Sequence, residues 1–141
     1  MDITFVRSKN LRRAANFTFD NMRVYYEQFA PEWDASKVYE VTAELENYDI
    51  IYKQEVVGVM RLQFDNDCCV LRDLQVISSA QNKGIGQVAI QEAKNLTLNA
   101  DLSRLALRVL KISPAVSLYQ RNGFVTQSED ERFFNMEAEV S

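Results

Sequence analysis

The spacing of apolar residues changes along the chain, and these changes predict where strands and helices lie. Strands are predicted where β-branched and aromatic residues concentrate, at 3–7, 48–53, 56–64, 68–76, 105–110, 124–125 and 133–140. Helices are predicted where apolar residues recur every three or four positions, at 9–29, 36–45, 84–100 and 114–122. Hairpins come first and a strand–helix–strand unit follows, so the order predicts a mixed α/β sheet.

Local residue types give three more detailed predictions about these elements. Gln54-Glu55 separates two β-rich segments and indicates a hairpin turn. The mostly apolar run at 105–110 is typical of a strand that is buried on both faces. Ser113 suits the N-cap of the last helix, and Pro114 suits its first helical position.

Composition limits the classes of function that are open to the chain. Its 141 residues predict a single domain over 1–141, and 47% hydrophobic residues suffice to bury a core without metal or disulfide staples. The formal net charge of −4 argues against a general nucleic-acid binder. The absence of histidine excludes Ser-His-Asp and Cys-His catalysis, HExxH zinc sites and a histidine pH switch.

The two cysteines, Cys68 and Cys69, are adjacent in the sequence. Adjacent Cα atoms lie about 3.8 Å apart, which is closer than the usual minimum of about 4.4 Å for a disulfide. Two thiols also cannot complete a four-ligand zinc site, so we expect free thiols and no metal. The first residues lack a signal-peptide pattern and no apolar run approaches about 18 residues. A cytoplasmic protein without a membrane span is therefore predicted.

The segment after the strand that ends at Val76 has the features of an anion-binding site. The loop Gln81-Asn82-Lys83-Gly84-Ile85-Gly86 opens a predicted helix. The first N–H groups of a helix have no internal partner, the helix dipole is positive there, and glycine lets the backbone approach phosphate oxygens. Lys83 adds positive charge. The alternative to an anion-binding site is a glycine turn that starts the helix and binds no ligand.

Three kinds of phosphate loop fit this segment to different degrees. A Walker loop requires a glycine, four residues and then Gly-Lys-Ser/Thr, which the chain lacks. Gly84-Ile85-Gly86-Gln87-Val88-Ala89 fits the dinucleotide pattern G-x-G-x-x-G/A literally. However, the next strand ends at Lys111 without the acid that dinucleotide folds place about 20 residues further on. The third kind of loop fits better.

The third kind of loop is indicated by two motifs within 68–125 that occur together in one protein family. Gln81-x-x-Gly84-x-Gly86 resembles the Q/R-x-x-G-x-G/A pyrophosphate loop of the GNAT N-acetyltransferase superfamily. Leu118-Tyr119-x-x-x-Gly123-Phe124 resembles the L-Y-x-x-x-G-F ending of the same family. The motifs and the strand before them cover about two fifths of the chain, and the element order extends the resemblance to the rest.

The resemblance implies a fold and a cosubstrate. The fold is a mixed, mostly antiparallel twisted sheet flanked by about four helices, in which the strand at 70–76 splays from the strand at 105–110. The cosubstrate is acetyl-CoA, whose pantetheine arm enters the gap and pairs with backbone near Leu74 and Val76. The implied cofactor-binding residues are Leu74, Gln75, Val76, Gln81, Asn82, Lys83, Gly84, Ile85, Gly86, Gln87 and Ser113.

The resemblance also implies direct transfer without an acyl-enzyme. A backbone N–H polarises the thioester carbonyl, and the tyrosine of the L-Y motif, Tyr119, protonates the leaving thiolate. A tyrosine of ordinary pKa, about 10, stays protonated near pH 7 and can donate. The alternative to a proton-donating role is that Tyr119 only packs in the core. Ser113 stands where the family usually has asparagine, so it keeps a hydroxyl and loses the amide contact with CoA.

The candidate for the general base is Asp73. Histone-modifying relatives keep a glutamate six residues before the end of this strand, where this chain has Val70. Strict alternation groups Asp73 with Leu71 and Gln75, and a bulge would change that grouping. A structural pairing of Asp73 with Arg72 is the other interpretation. A water chain or an already neutral amine would make a carboxylate base unnecessary.

Charge distribution indicates the kind of acceptor. Residues 81–124 hold six basic and two acidic residues, whereas 20–67 hold four basic and eleven acidic residues. The positive part suits the phosphates of CoA and the negative part suits a cationic amine, with a solvated acidic surface as the alternative. A further cluster forms either an acceptor-pocket wall or helix core: Tyr25, Tyr26, Phe29, Trp33, Glu27, Glu32 and Asp34.

Together these observations predict an acetyl-CoA-dependent N-acetyltransferase with Tyr119 and Asp73 as catalytic residues. The predicted acceptor is a small-molecule or peptide amine, cationic in character, and no nucleic acid, membrane or metal is expected. The resemblance allows a homodimer. A non-catalytic CoA- or acyl-CoA-sensing module is the second hypothesis, and a nucleotide-binding or structural domain is the third.

Overall fold

Residues 2–141 of the computed structural model form seven strands and five α-helices. The strands are β1 (Ile3–Arg7), β2 (Glu46–Tyr52), β3 (Glu55–Phe64), β4 (Cys69–Val76), β5 (Arg104–Leu110), β6 (Val125–Glu129) and β7 (Phe133–Glu139). The helices are α1 (Leu11–Asn21), α2 (Arg23–Phe29), α3 (Ala35–Thr42), α4 (Ile85–Asn99) and α5 (Ala115–Arg121), with a 3₁₀ turn at Ser78–Ala80.

The strands form one sheet in the order β1-β2-β3-β4-β5-β7-β6. The β1–β2, β5–β7 and β6–β7 ladders are antiparallel. The β4–β5 ladder is parallel and pairs Cys69–Leu71 with Leu105–Leu107. The predicted mixed α/β fold is therefore confirmed, with five helices in place of about four.

The chain divides into two compact units. The first contains the residues up to Arg61 together with Asp73–Ile85, and the second contains Leu62–Arg72 together with Gly86–Ser141. Strands β3 and β4 each contribute residues to both units. The single domain over 1–141 stays a prediction.

Two capped helices and two strands, β2 and β3, supply most of the buried apolar residues of the first unit. Asn10 caps α1 by accepting a hydrogen bond from the Arg13 N–H at 3.0 Å. Asp34 caps α3 in the same way, with the Lys37 N–H at 2.9 Å. The buried apolar residues of this unit include Ala14, Ala15, Val38, Ile50, Val57, Val59 and Met60.

The helix predicted at 9–29 is two helices in the structure. Met22, with φ −103° and ψ 10°, leaves the helical region between α1 and α2. Its N–H donates to the Thr18 carbonyl at 2.9 Å, and its carbonyl accepts from the N–H groups of Tyr25 and Tyr26, each at 3.0 Å. The backbone is hydrogen-bonded through the bend without glycine or proline, so the prediction of one helix was wrong.

The β2–β3 hairpin turns at Lys53-Gln54, one residue before the predicted Gln54-Glu55. Lys53 (φ 52°) and Gln54 (φ 67°) are both left-handed, as a type I′ turn requires. Such turns favour Asn-Gly, and residues with a Cβ are strained there. The turn was misplaced because its two residues lack that composition.

In the second unit, β5 pairs antiparallel with β7 along its whole length. Its alternate apolar side chains are buried, whereas Arg104 and Arg108 between them are exposed. Arg104 pairs with Glu137 at 3.0 Å and Arg108 pairs with Asp130 at 2.7 Å. The prediction of a strand buried on both faces was wrong because these ion pairs occupy the second face.

The start of α5 follows the predicted pattern. The Ser113 hydroxyl oxygen accepts a hydrogen bond from the Ala115 N–H at 3.1 Å, and Pro114 has helical angles of φ −64° and ψ −15°. Gly123 has a φ of 90° just beyond the helix, where left-handed backbone ends a helix without strain. The Ser113 hydroxyl therefore satisfies one of the free N–H groups at the start of α5, although the residue directly before the helix is Pro114.

Candidate functional site

The loop at 81–86 leads from β4 into α4, a helix of 15 residues. Asn82 (φ 62°) and Gly84 (φ 83°) have left-handed backbone. The Gln81 side-chain amide donates to the Val76 carbonyl at 2.8 Å, which fixes the start of the loop. Ile85, at the start of α4, is buried, whereas 81–84 are exposed. An exposed, anchored loop at a helix N-terminus can bind phosphate.

The two glycines of this loop are needed for different reasons. Gly84 has a positive φ, which residues with a Cβ rarely adopt. At Gly86 the limit is space, because a Cβ there would lie 2.8 Å from the Leu118 Cδ2 atom. Gly84 is therefore the better position for testing ligand binding, since changes at Gly86 also disturb packing.

The end of β4 carries three candidate residues, Leu74, Gln75 and Val76. The Gln75 side chain is buried and accepts a hydrogen bond from the Asn21 amide at 2.7 Å. A Cβ at Gly58 would lie 2.3 Å from the Gln75 carbonyl oxygen, so Gly58 permits a close approach of β3 to β4. Because the Gln75 side chain is engaged inside the unit, a ligand contact at this residue is left to its backbone.

Asp73 pairs with Arg61. The distance from the Arg61 Nη1 to the Asp73 Oδ2 is 3.2 Å, and the side chains are 0% and 24% exposed respectively. The alternative that Asp73 pairs with Arg72 is wrong, since Arg72 Nη1 donates to the Gln63 side chain at 2.5 Å. The burial pattern of β4 groups Asp73 with its alternate buried neighbours, as strict alternation predicts.

Arg61 lies on β3 and has two neutral partners besides Asp73. Its Nε donates to the Asn47 Oδ1 at 2.6 Å, and its Nη1 donates to the Thr18 hydroxyl at 2.7 Å. Among the described residues, 2–141, its Nη2 has no hydrogen-bond partner. A buried guanidinium is costly unless it is paired, so Asp73 is its essential anionic partner.

Three aromatic rings of the first unit stack on one another. Tyr26 lies between Phe19 and Trp33, with centroid distances of 5.7 Å to each ring and interplanar angles of 12° and 20°. Burial and then the negative charge of Asp73 raise the pKa of Tyr26 from 10.0 to about 12, against an opposing effect of Arg61. The Tyr26 hydroxyl therefore stays protonated near neutral pH.

Tyr119 lies on α5 and is buried in the second unit. Its ring meets that of Phe124 edge to face, with centroids 5.5 Å apart. Its carbonyl accepts from the N–H groups of Asn122 and Phe124 at 3.0 and 3.1 Å, which ties the end of α5 to the following chain. The ring is held in a fixed position, which fits both its packing in the core and its predicted role as a proton donor.

The candidate residues are divided between the two units. Asp73, 74–76 and 81–85 belong to the first, whereas Gly86, Gln87, Ser113 and Tyr119 belong to the second. Sequence analysis missed Arg61, which holds Asp73 from the buried side. The signal was present, because Arg61 is the one charged residue in the apolar run 56–62.

Residues 2–141 contain neither a cluster of potential metal ligands nor a helix that could cross a membrane. No group of three or more His, Cys, Asp or Glu in this part of the chain could hold a metal ion. Within the same residues, no helix has the length and apolar character to cross a membrane.

Comparison with protein families tests what the loop and tyrosine motifs indicate. The model of the acetyltransferase (GNAT) family matches residues 11–124, which include both motifs. The chain belongs to the GNAT family. No curated protein matches this GNAT chain in sequence.

Solved acetyltransferases share the fold of this GNAT chain. The PaiA N-acetyltransferase from Thermoplasma acidophilum, solved with coenzyme A, is 18% identical over 99% of this chain and 100% of its own, with a TM-score of 0.78. A GNAT acetyltransferase from Elizabethkingia anophelis with acetyl-CoA bound is 16% identical over 98% of each chain, with a TM-score of 0.75. The ribosomal-protein-S18-alanine N-acetyltransferase from Escherichia coli is 17% identical over 99% and 95%, with a TM-score of 0.76.

Proposed function

We propose that this protein transfers an acetyl group from acetyl-CoA to a primary amine by direct attack in a ternary complex. The observation that carries the proposal is the match to the GNAT acetyltransferase family over residues that include the loop and tyrosine motifs. Two structures of similar fold were solved with coenzyme A or acetyl-CoA bound, and this supports the same cosubstrate here.

The loop at 81–86 is proposed to hold the pyrophosphate of CoA. Left-handed backbone at Asn82 and Gly84 supports this role, because such turns direct backbone N–H groups toward an anion. Lys83 adds a positive charge, and Gln87 and Ser113 are proposed as further contacts. The pantetheine arm is proposed to pair with the backbone of 74–76, since β4 continues beyond the three residues that pair with β5.

The reaction needs a proton donor for the sulfur and a proton acceptor for the nitrogen. The nitrogen–carbon bond forms as the amine attacks, and the carbon–sulfur bond then breaks. Tyr119 is proposed to give its proton to the departing thiolate, and Asp73 is proposed to receive a proton from the amine. Solvent then restores both side chains, so the overall reaction releases one proton for each ammonium that is acetylated.

The acceptor is proposed to be a cationic small-molecule or peptide amine. Residues 20–67 carry eleven acidic and four basic side chains, and a negative surface raises the local concentration of cations. The E. coli relative of similar fold is named for acetylation of a protein alanine, so a peptide amine is within the range of this fold. A cytoplasmic location and a homodimer stay predictions.

A panel of amines, assayed by thiol release from acetyl-CoA, tests the proposal. We expect at least one amine to accelerate thiol release and to gain the mass of an acetyl group. CoA should also protect the protein from thermal unfolding, whereas NAD(P) and ATP should not. Protection by CoA without thiol release in the presence of any amine would favour the CoA-sensing module instead.

A further inference from the structure

The last helix, α5, is fixed to α4 at two points of the second unit. At one point the Leu118 side chain lies against the bare backbone of Gly86, where a Cβ would come within 2.8 Å of the Leu118 Cδ2 atom. At the other point the Lys94 Nζ donates a hydrogen bond of 2.6 Å to the Asn122 carbonyl. Gly86 and Lys94 are eight residues apart, which corresponds to about 12 Å along a helix. Two contacts at this separation resist rotation of α5 against α4.

The end of α5 is closed without Lys94. The Asn122 side-chain amide donates to the Leu118 carbonyl at 2.8 Å. Backbone N–H groups that follow the helix donate to the carbonyls of Tyr119 and Gln120 at 3.0 to 3.2 Å, so the last turn has local partners. The bond from Lys94 is additional, and it costs the conformational entropy of a long side chain. Helix capping alone therefore does not account for Lys94.

Lys94 also lies near the aromatic ring that packs on Tyr119. The rings of Phe124 and Tyr119 meet edge to face with centroids 5.5 Å apart, and the Lys94 Nζ lies 6.0 Å from the Phe124 centroid. One side chain of α4 thus contacts the backbone at the end of α5 and lies near the ring that supports Tyr119. The position of the Tyr119 ring is therefore linked to Lys94 by two short series of contacts, all within the second unit.

We propose that Lys94 is a positioning residue for the proton donor, which holds Tyr119 in the orientation that the departing sulfur requires. This inference rests on the proposed acetyl transfer, in which Tyr119 gives its proton to the thiolate. A general acid must lie within hydrogen-bond reach of the atom that it protonates. A small rotation of α5 would therefore slow the reaction without weakening the binding of CoA.

Replacement of Lys94 by methionine and by arginine tests the proposal. Methionine keeps an unbranched chain and removes the ammonium, whereas arginine keeps a donor for the Asn122 carbonyl. With acetyl-CoA and an amine that the wild type acetylates, we expect Lys94→Met to lower kcat roughly tenfold and to leave KM for acetyl-CoA unchanged. Lys94→Arg should restore most of the rate. Gln91→Met removes an exposed side chain of the same helix, bonded to Asn95 at 3.0 Å, and should keep the full rate.

The same change in a Tyr119→Phe background separates positioning from a general loss of structure. If Lys94 acts through the Tyr119 hydroxyl, then Lys94→Met has no further effect on kcat once that hydroxyl is gone, and the two losses do not multiply. An equal fractional loss of kcat in both backgrounds overturns the proposal. Unchanged kcat in Lys94→Met, or a loss that appears only in KM for acetyl-CoA, overturns it as well.

An NMR measurement tests the proposal without turnover. The chain has six tyrosines, and in protein labelled on tyrosine the signal of Tyr119 is the one that Tyr119→Phe lacks. We expect Lys94→Met to broaden this signal through exchange between ring positions, and Lys94→Arg to keep it sharp. A Tyr119 signal that is the same in wild type and Lys94→Met overturns the positioning role. Absence of transfer to every amine in the panel overturns the proposed function instead, and the NMR result then decides whether Lys94 holds Tyr119.

Discussion

At the scale of single residues, Arg61 holds side chains from three elements of the first unit. Its guanidinium is fully buried and contacts Asn47, Thr18 and Asp73. A buried charge must be matched by well-placed partners, so the position of Asp73 is set by the interior and not by a mobile surface. Side chains that are held in this way keep the fixed geometry that a binding site requires.

Replacement of Tyr119 by phenylalanine tests the proton donor. The change keeps the ring and its edge-to-face contact with Phe124 but removes the hydroxyl. We expect kcat to fall roughly 10²-fold, with CoA affinity and thermal stability nearly unchanged. Tyr48→Phe, which removes a hydroxyl from β2, is the matched control and should keep the full rate. Full activity of Tyr119→Phe under conditions where chemistry limits turnover would contradict the assigned role.

Alkaline titration tests the environment of Tyr26. Its pKa of about 12 in the folded protein exceeds the ordinary value of 10.0, so the folded state keeps a proton that the unfolded chain loses. The stabilisation is complete below pH 10 and is lost as the pH rises toward 12. We expect wild type to lose about 1 kcal/mol more than Tyr26→Phe across this window, after allowance for solvent screening. Denaturant unfolding of both proteins between pH 9 and 12 measures this difference, and equal slopes would contradict it.

At the scale of elements, two turns contain left-handed backbone for different reasons. In the loop at 81–86, Asn82 and Gly84 are residue types that tolerate positive φ. In the β2–β3 hairpin, Lys53 and Gln54 are not, so that turn carries conformational strain. The first turn is adapted to its conformation by composition, whereas the second is maintained by the strands around it.

The loop is tested by placing two isosteric residues at Gly84. Asn and Asp differ little in shape and both tolerate left-handed backbone, so Gly84→Asn reports the effect of a side chain and Gly84→Asp adds only charge. We expect CoA to bind at least tenfold more weakly to Gly84→Asp than to Gly84→Asn, about 1.4 kcal/mol. Titration calorimetry gives both affinities. Equal affinities in two folded variants would show that the loop does not bind phosphate.

The hairpin is tested by giving it the composition that its backbone favours. Lys53→Asn combined with Gln54→Gly should relieve strain and raise stability by about 1 kcal/mol. For a chain of this length the expected rise in Tm is about 2–5 °C, read from a thermal unfolding curve. Thiol release should be unchanged because neither residue is a site candidate. A lower Tm would indicate that the side chains of Lys53 and Gln54 stabilise the turn by more than the strain costs.

At the scale of the whole molecule, features with local causes could be predicted from the sequence and features with distant causes could not. The succession of strands along the chain and the start of α4 were predicted because apolar periodicity and glycine placement act within a few residues. The bend at Met22 and the partner of Asp73 were missed. The bend has no sequence marker, and Arg61 lies twelve residues from Asp73 on another strand. The roles of the site residues stay predictions, because they depend on contacts with a cosubstrate and an acceptor and not on the packing of the chain.

The path of the chain between its two units has a consequence for fragments. The chain changes unit after Arg61, Arg72 and Ile85, so a single break affects the two units unequally. A cut after Ile85 leaves every residue of the first unit in one piece. The other piece, 86–141, lacks 62–72 and with them the β4 residues that pair with β5.

We therefore expect opposite fates for the two pieces when they are expressed separately. The piece 1–85 should give a dispersed amide spectrum by NMR, whereas 86–141 should stay unfolded and be degraded by proteases. A folded 86–141 would contradict this expectation, because it would show that β5 does not need its parallel neighbour. Only the piece 1–85 keeps all residues of one unit. A break after Ile85 is therefore the natural choice when the chain is to be reconstituted from two pieces.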